Sequence, residues 1–154
     1  MSDARMDAFL RFSVETTAFD VVTLRGTGNA NSFLATAVEV VGAELMDDLF
    51  AAYDSVTDTD EAARERRLRQ VVFGDERLGP VARNLIKLWF LGTWYQLPAA
   101  WRDRYGARPK DVTFTVSPNA YTQALLWPAV GANPAGANPP GYGSWAAPPT
   151  IPPF

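Results

Sequence analysis

Side chains able to do chemistry are few in this sequence. It contains no cysteine and no histidine, which removes thiolate nucleophiles, disulfides, imidazole bases and the usual zinc and haem ligands. The pairs Asp47/Asp48 and Asp58/Asp60 have the residue types for joint acid and base work. Nothing beside them points to burial, a nucleophile or an oxyanion site, and Asp47 and Asp48 read instead as the exposed face of a helix. The stretch LRGTGNAN places Gly26 and Gly28 after the apolar DVVTL and before a helical pattern, the order of a dinucleotide-binding turn. Asn31 stands where the third glycine belongs and no βαβ alternation follows, so the pair reads as an ordinary turn. ARERRLRQ holds Arg64, Arg66, Arg67 and Arg69. These spread around more than half of a helix, with Glu61 and Glu65 placed to pair three or four residues on, which describes a solvated face. No catalytic, cofactor-binding or metal-ligating residue is assigned, and no cofactor is expected in the chain itself.

The aromatic residues are different in kind. All five tryptophans (Trp89, Trp94, Trp101, Trp127, Trp145) and four of the five tyrosines lie in the second half, interleaved with proline and glycine. Leu88, Trp89 and Phe90 read as core. No charged residue follows Asp111, and the chain closes on GANPPGYGSWAAPPTIPPF, apolar surface that must lie against something. That something is its own domain or another chain. Spaced aromatic anchors on a proline-stiffened segment suit a partner surface, because proline lowers the ordering cost and large rings supply contact area. The expected contact residues are Trp94, Tyr95, Tyr121, Trp127, Tyr142 and Trp145, with Pro139, Pro140 and Gly141 setting the extended path.

These residues must be positioned by helices. At 154 residues and 47% hydrophobic content the chain is long enough for one compact core plus a tail. Its net charge of −3 argues against nucleic acid, which calls for a surplus of cations on one face. No run approaches the roughly 18 apolar residues of a spanning helix, and the first residues show no signal-peptide pattern. Met6, Phe9, Leu10, Ser13, Val14 and Thr17 fall on one side of a first helix. A second follows the RGTGNAN loop with Asn31 or Ser32 as N-cap, a third follows Gly42 with Leu45, Met46, Leu49 and Tyr53 inward, and a fourth is capped by Thr57 or Thr59 and ends at Gly74. Pro80 suits the first turn of a central fifth helix that Gly92 interrupts, as a terminus or as a point of close packing. AAWRDRY forms a short piece ended by Gly106, VTFTV a short strand or extended coil, and Ser117-Pro118 begins a last helix that Pro128 stops. The fold class is mainly α: a compact domain of about five or six helices over residues 1–127, with an extended Pro/Gly/aromatic-rich tail over 128–154.

MDAFLRFSVETTAFD, with LRGTGNANSFLATAVEVVGAELMDDLFAAY, resembles the opening of the small subunit of bacterial flavin-dependent sorbitol, fructose and glucose dehydrogenase complexes, where a FLxLSxxLTGF start precedes helices. IKLWFLGTWYQLP is similar to that group's LxxWYxGxW, SPNAYTQALLWPAVG to its xYxxALxW and PPGYGSWAAPP to its terminal PGxxWxxPP, in the same order along nearly the whole chain. The resemblance implies a helical, non-catalytic subunit that wraps and stabilises a large flavoprotein of the glucose-methanol-choline type. That large subunit would hold FAD and a catalytic histidine, oxidise a sugar, polyol or glycoside, and pass electrons to a haem subunit or other acceptor. Members often begin with a twin-arginine export signal, absent here. The chain as given therefore reads as cytoplasmic, whereas many relatives are periplasmic or membrane-associated. The cysteine that many carry before PGxxW is also missing, so association would be noncovalent.

Overall fold

The computed structural model describes residues 3–137. The protein is mainly α-helical. Helix α1 (Asp3–Thr17) buries Phe9, Leu10, Phe12, Ser13 and Thr17, the face set by its i, i+3, i+4 pattern. Ala18, at φ 60°, then turns the chain into a short helix, α2 (Val21–Gly26), formed mostly by the apolar DVVTL and ending inside the RGTGNAN stretch expected as a loop. Its start is local chemistry: the Asp20 carboxylate accepts from Thr23 N at 2.7 Å, satisfying one orphan donor of the first turn.

Helices α3 (Ala30–Val41) and α4 (Ala43–Asp54) share Gly42 as C-cap and N-cap. Its φ of 96° lies where a side chain is strained, so one glycine forms the whole joint. Leu45, Met46, Leu49 and Tyr53 face inward as expected. Helix α5 (Glu61–Leu68) is capped by Asp60, which accepts from Ala63 N at 2.8 Å, and not by Thr57 or Thr59. It runs on into a π-helical turn, Arg69–Phe73, closed by Gly74 N donating to Arg69 O at 2.7 Å.

Helix α6 (Leu78–Leu91) is central. Its buried face, which includes Leu78, Val81, Ala82, Leu85, Leu88 and Trp89, packs on α1, α3 and α4. Trp89 stacks on Phe9 (centroids 5.7 Å apart) and meets Phe33 edge-on at 5.1 Å. Its indole N–H donates to Ser13 Oγ at 2.8 Å, and that hydroxyl donates to Phe9 O at 2.7 Å. Gly92 ends the helix in the left-handed region and is also a point of close approach: a Cβ there would lie 2.4 Å from Ala120 O.

The chain then forms β1 (Thr93–Trp94), α7 (Ala99–Tyr105), β2 (Phe114–Thr115), α8 (Pro118–Thr122) and α9 (Leu126–Val130). The partner for VTFTV, not evident from the sequence, is β1: Thr93 pairs with Thr115 and Trp94 with Phe114 in an antiparallel ladder. Ser117 caps α8 by accepting from Ala120 N at 3.0 Å, with Pro118 at the first position. Pro128 does not stop the last helix. It lies in the first turn of α9, where a missing N–H costs nothing, so helix continues to Val130, past the expected division after residue 127. Among the described residues no helix is long and apolar enough to cross a membrane.

Ion pairs tie the helices laterally. Arg5 meets Asp47 at 2.7 Å, Arg11 meets Asp54 at 2.9 Å and Arg77 meets Asp48 at 2.8 Å. All three carry exposed partners, where such pairs contribute ~0–1 kcal/mol each. The more enclosed cluster joins α1, α4 and α5. Glu15 pairs with Arg64 at 2.7 Å and accepts from Tyr53 Oη at 2.7 Å, while Arg64 also donates to Val56 O. The guanidinium holds the Glu15 carboxyl below its usual range. Burial, with the Glu15 carboxylate second, pushes the Tyr53 phenol up from 10.0 to about 12.

Two outcomes are expected of this packing. Ser13→Ala leaves the buried Trp89 N–H without an acceptor, which costs about 1–3 kcal/mol, read as a lower midpoint in urea denaturation. Tyr53 has a folded pKa above its unfolded value, so its contribution is complete below pH 10.0 and is lost as pH rises toward about 12. Phenolate absorbance should include a late step from Tyr53, with stability falling across that interval, and Tyr53→Phe should remove that step.

Candidate partner-docking face

The C-terminal part of the described chain is fastened to the end of α6. A helix end leaves carbonyls without intrahelical partners, and here the later chain fills them. Leu125 N donates to Trp89 O at 2.9 Å and Val116 N to Gly92 O at 3.0 Å. Asn119 extends the attachment toward α2 and α3: its Nδ2 donates to Thr27 O at 3.0 Å and to Asn29 Oδ1 at 2.8 Å. Helices α8 and α9 are thereby held beside α2.

The face so formed carries Tyr121 and Trp127 in edge contact, centroids 5.5 Å apart. Trp127 Nε1 donates to Tyr121 O at 2.8 Å and Tyr121 Oη to Ala135 O at 3.0 Å. Other apolar side chains of α2 and α9 are exposed as well. Val22 is 77% exposed and Val21 42% exposed on α2, Val130 is 62% exposed at the end of α9, and Tyr121 is 36% exposed. Scattered exposed valines need no explanation, and none of the three lines the cleft that holds Trp127, Val21 lining another with Asp7, Arg11, Glu15 and Arg25, so the candidate face rests on the Tyr121–Trp127 pair and the uncharged segment around it.

The expected contact residues divide. Tyr121 and Trp127 come together on this face. Trp94 does not join them: it is wholly buried and belongs to the chain's own core, a correction with a clear cause. Its Nε1 donates to Asp111 Oδ1 at 3.0 Å, and Asp111, 2% exposed, also accepts from Leu97 N at 3.1 Å and lies 3.2 Å from Arg102 Nε. A buried carboxylate needs such partners, and the indole is one of them. Tyr95 is half-buried against α6, its backbone bonded to the Asn84 amide at 2.7 and 3.3 Å and its ring 5.0 Å from Lys87 Nζ. Pro139, Pro140, Gly141, Tyr142 and Trp145 lie outside the described residues.

Val21, Val22 and Val130 do not stand out in the sequence. The legible signal for the first two is Asp20 three residues ahead of Thr23, a helix start that turns DVVTL from a strand-like run into a helix with one face outward. Val130 falls in the stretch that reads as an extended tail as long as Pro128 counts as a helix stop. Among the described residues no group of acidic side chains is arranged to hold a metal ion.

Compared with known proteins, the chain matches no family model, no curated protein sequence and no solved structure.

Replacing Asp111 by Ala strands the Trp94 and Leu97 donors and frees Arg102, at a cost of about 3 kcal/mol. Denaturant titration followed by tryptophan emission should show a lower midpoint and a red-shifted native spectrum, and Asp111→Asn should fall between wild type and Asp111→Ala.

Proposed function

We propose that this chain is a non-catalytic accessory subunit that docks on a large FAD-dependent sugar, polyol or glycoside dehydrogenase and stabilises it, in a complex that passes electrons to a haem subunit or another acceptor. The observation that carries the reading is the Tyr121–Trp127 pair on α8 and α9, in a stretch without a charged side chain, with Val22 exposed on α2 and Val130 at the end of α9. A centre of apolar and aromatic side chains without charge is the anatomy of a protein interface core. The segment resemblances along α1 to α4, at IKLWFLGTWYQLP and at SPNAYTQALLWPAVG supply the flavoprotein as partner. The absence of histidine and cysteine from the chain is compatible with the chemistry residing in that partner.

A second reading is favoured by one contact. Tyr121 Oη donates to Ala135 O, and Ala137 is buried, so residues 131–137 fold back on the chain's own α8. This suits a helical domain whose C-terminal segment is its own cover, alone or in a homodimer.

The two separate in one experiment. Val22→Asp with Val130→Asp changes two side chains that are mostly in solvent, so the isolated chain should keep its stability within about 0.5 kcal/mol of wild type. Pulled down from its native source, the wild-type chain should bring a large subunit with a flavin absorption band, and the double variant should not. A wild-type chain recovered alone, or as a dimer without flavin, would establish the second reading.

A further inference from the structure

We propose that the cleft between α2 and the α8–α9 segment is a binding site for a neutral polyhydroxylated ligand, a mono- or disaccharide. The cleft encloses about 430 Å³, inside the roughly 300–1,000 Å³ of small-molecule sites. Thr23 and Thr27 line it from α2 and its cap, Gln123 and Trp127 from the α8–α9 segment, and Asn133 from the loop beyond α9.

Its first distinguishing property is charge. One residue in five of this protein is charged, yet no lining residue is. A charged ligand would give up its hydration with no counter-ion in return, so the site selects neutral molecules.

The second property is which polar groups are already used. Thr27 Oγ1 donates to Leu24 O at 2.8 Å, and Trp127 Nε1 donates to Tyr121 O at 2.8 Å. The backbone N–H of Thr23 is taken by the Asp20 carboxylate that caps α2, at 2.7 Å. The Gln123 and Asn133 amides make no side-chain hydrogen bond among the described residues and are exposed. A carboxamide both donates and accepts, as a hydroxyl does, so two amides in one cleft match a ligand whose hydroxyls also do both. The Trp127 ring supplies the large aromatic surface on which the C–H side of a pyranose ring lies.

A proline-rich peptide is the competing neutral ligand. Proline has no N–H, so such a peptide presents mainly carbonyl acceptors and calls for a free indole donor, and here that donor is taken. The amides, with both donor and acceptor in hand, fit a sugar better.

The test uses the full-length chain by itself, with D-glucose and maltose as probes and glucosamine and glucuronate as charged counterparts of the same ring. Titration followed by calorimetry and by the side-chain amide signals of Gln123 and Asn133 should show saturable binding of at least one neutral sugar, with the charged rings at least about tenfold weaker. Gln123→Ala with Asn133→Ala should weaken the neutral sugar by about tenfold or more while leaving the thermal midpoint in place, since neither side chain holds the fold. No saturable binding of either neutral sugar, equal binding of the charged rings, or amide shifts produced by a polyproline peptide and not by sugar would overturn the proposal. The measurement needs no flavoprotein, so its outcome is separate from that of the accessory-subunit reading.

Discussion

The Trp89 indole is the point where the fold closes. A buried indole needs an apolar shell and one acceptor for its N–H, and α1 meets both needs from a single face: Phe9 stacks on the ring and Ser13, one turn later, accepts the N–H hydrogen bond. Phe33 brings α3 to the same ring. The backbone of Trp89 also directs the C-terminal segment, because its carbonyl receives Leu125 N. One residue thus joins α1, α3 and α6 and fixes where the later chain starts to pack.

Gly92 makes the second half of that arrangement possible. Its left-handed conformation ends α6, and its missing Cβ lets Ala120 O approach to a distance no side chain would permit. With α8 seated there, Asn119 reaches Thr27 and Asn29, and α2 acquires a neighbour. The exposed face and the uncharged cleft both arise from this docking. Charge runs out at the same place: Asp111 is the last charged side chain, it is buried, and it is committed to Trp94, Leu97 and Arg102. Every side chain the C-terminal segment presents to a neighbour is therefore neutral, which permits close contact without stranding a charge.

Much of the helical layout is legible in residue order. Most of the buried faces of α1 and α4 follows from spacing, although Phe12 and Phe50 are buried outside the expected stripes and Met6 and Val14 only half-buried within one, and Gly42 and Ser117-Pro118 mark boundaries through local backbone chemistry. Less legible are elements too short for a period to appear. Six residues of α2 complete fewer than two turns, the β1–β2 pair is two residues long, and the π-helical turn after α5 differs from its neighbours only in which carbonyl accepts. The choice of Asp60 over Thr57 or Thr59 as cap is also hidden, since all three side chains can cap.

Residue types and their spacing were enough to determine that this chain is helical, that it offers no imidazole or thiol chemistry, and that its C-terminal third is aromatic and nearly free of charge. They did not determine which tryptophans face inward. Trp94 and Trp127 look alike in the sequence, and both read as surface anchors. Tertiary structure decided otherwise for Trp94, because the folded chain brings Asp111 into the core as the acceptor of its indole N–H. Trp94 finds Asp111, 17 residues away, and Trp89 finds Ser13, 76 residues away. Trp127 finds only the carbonyl of Tyr121, six residues away, and stays at the surface.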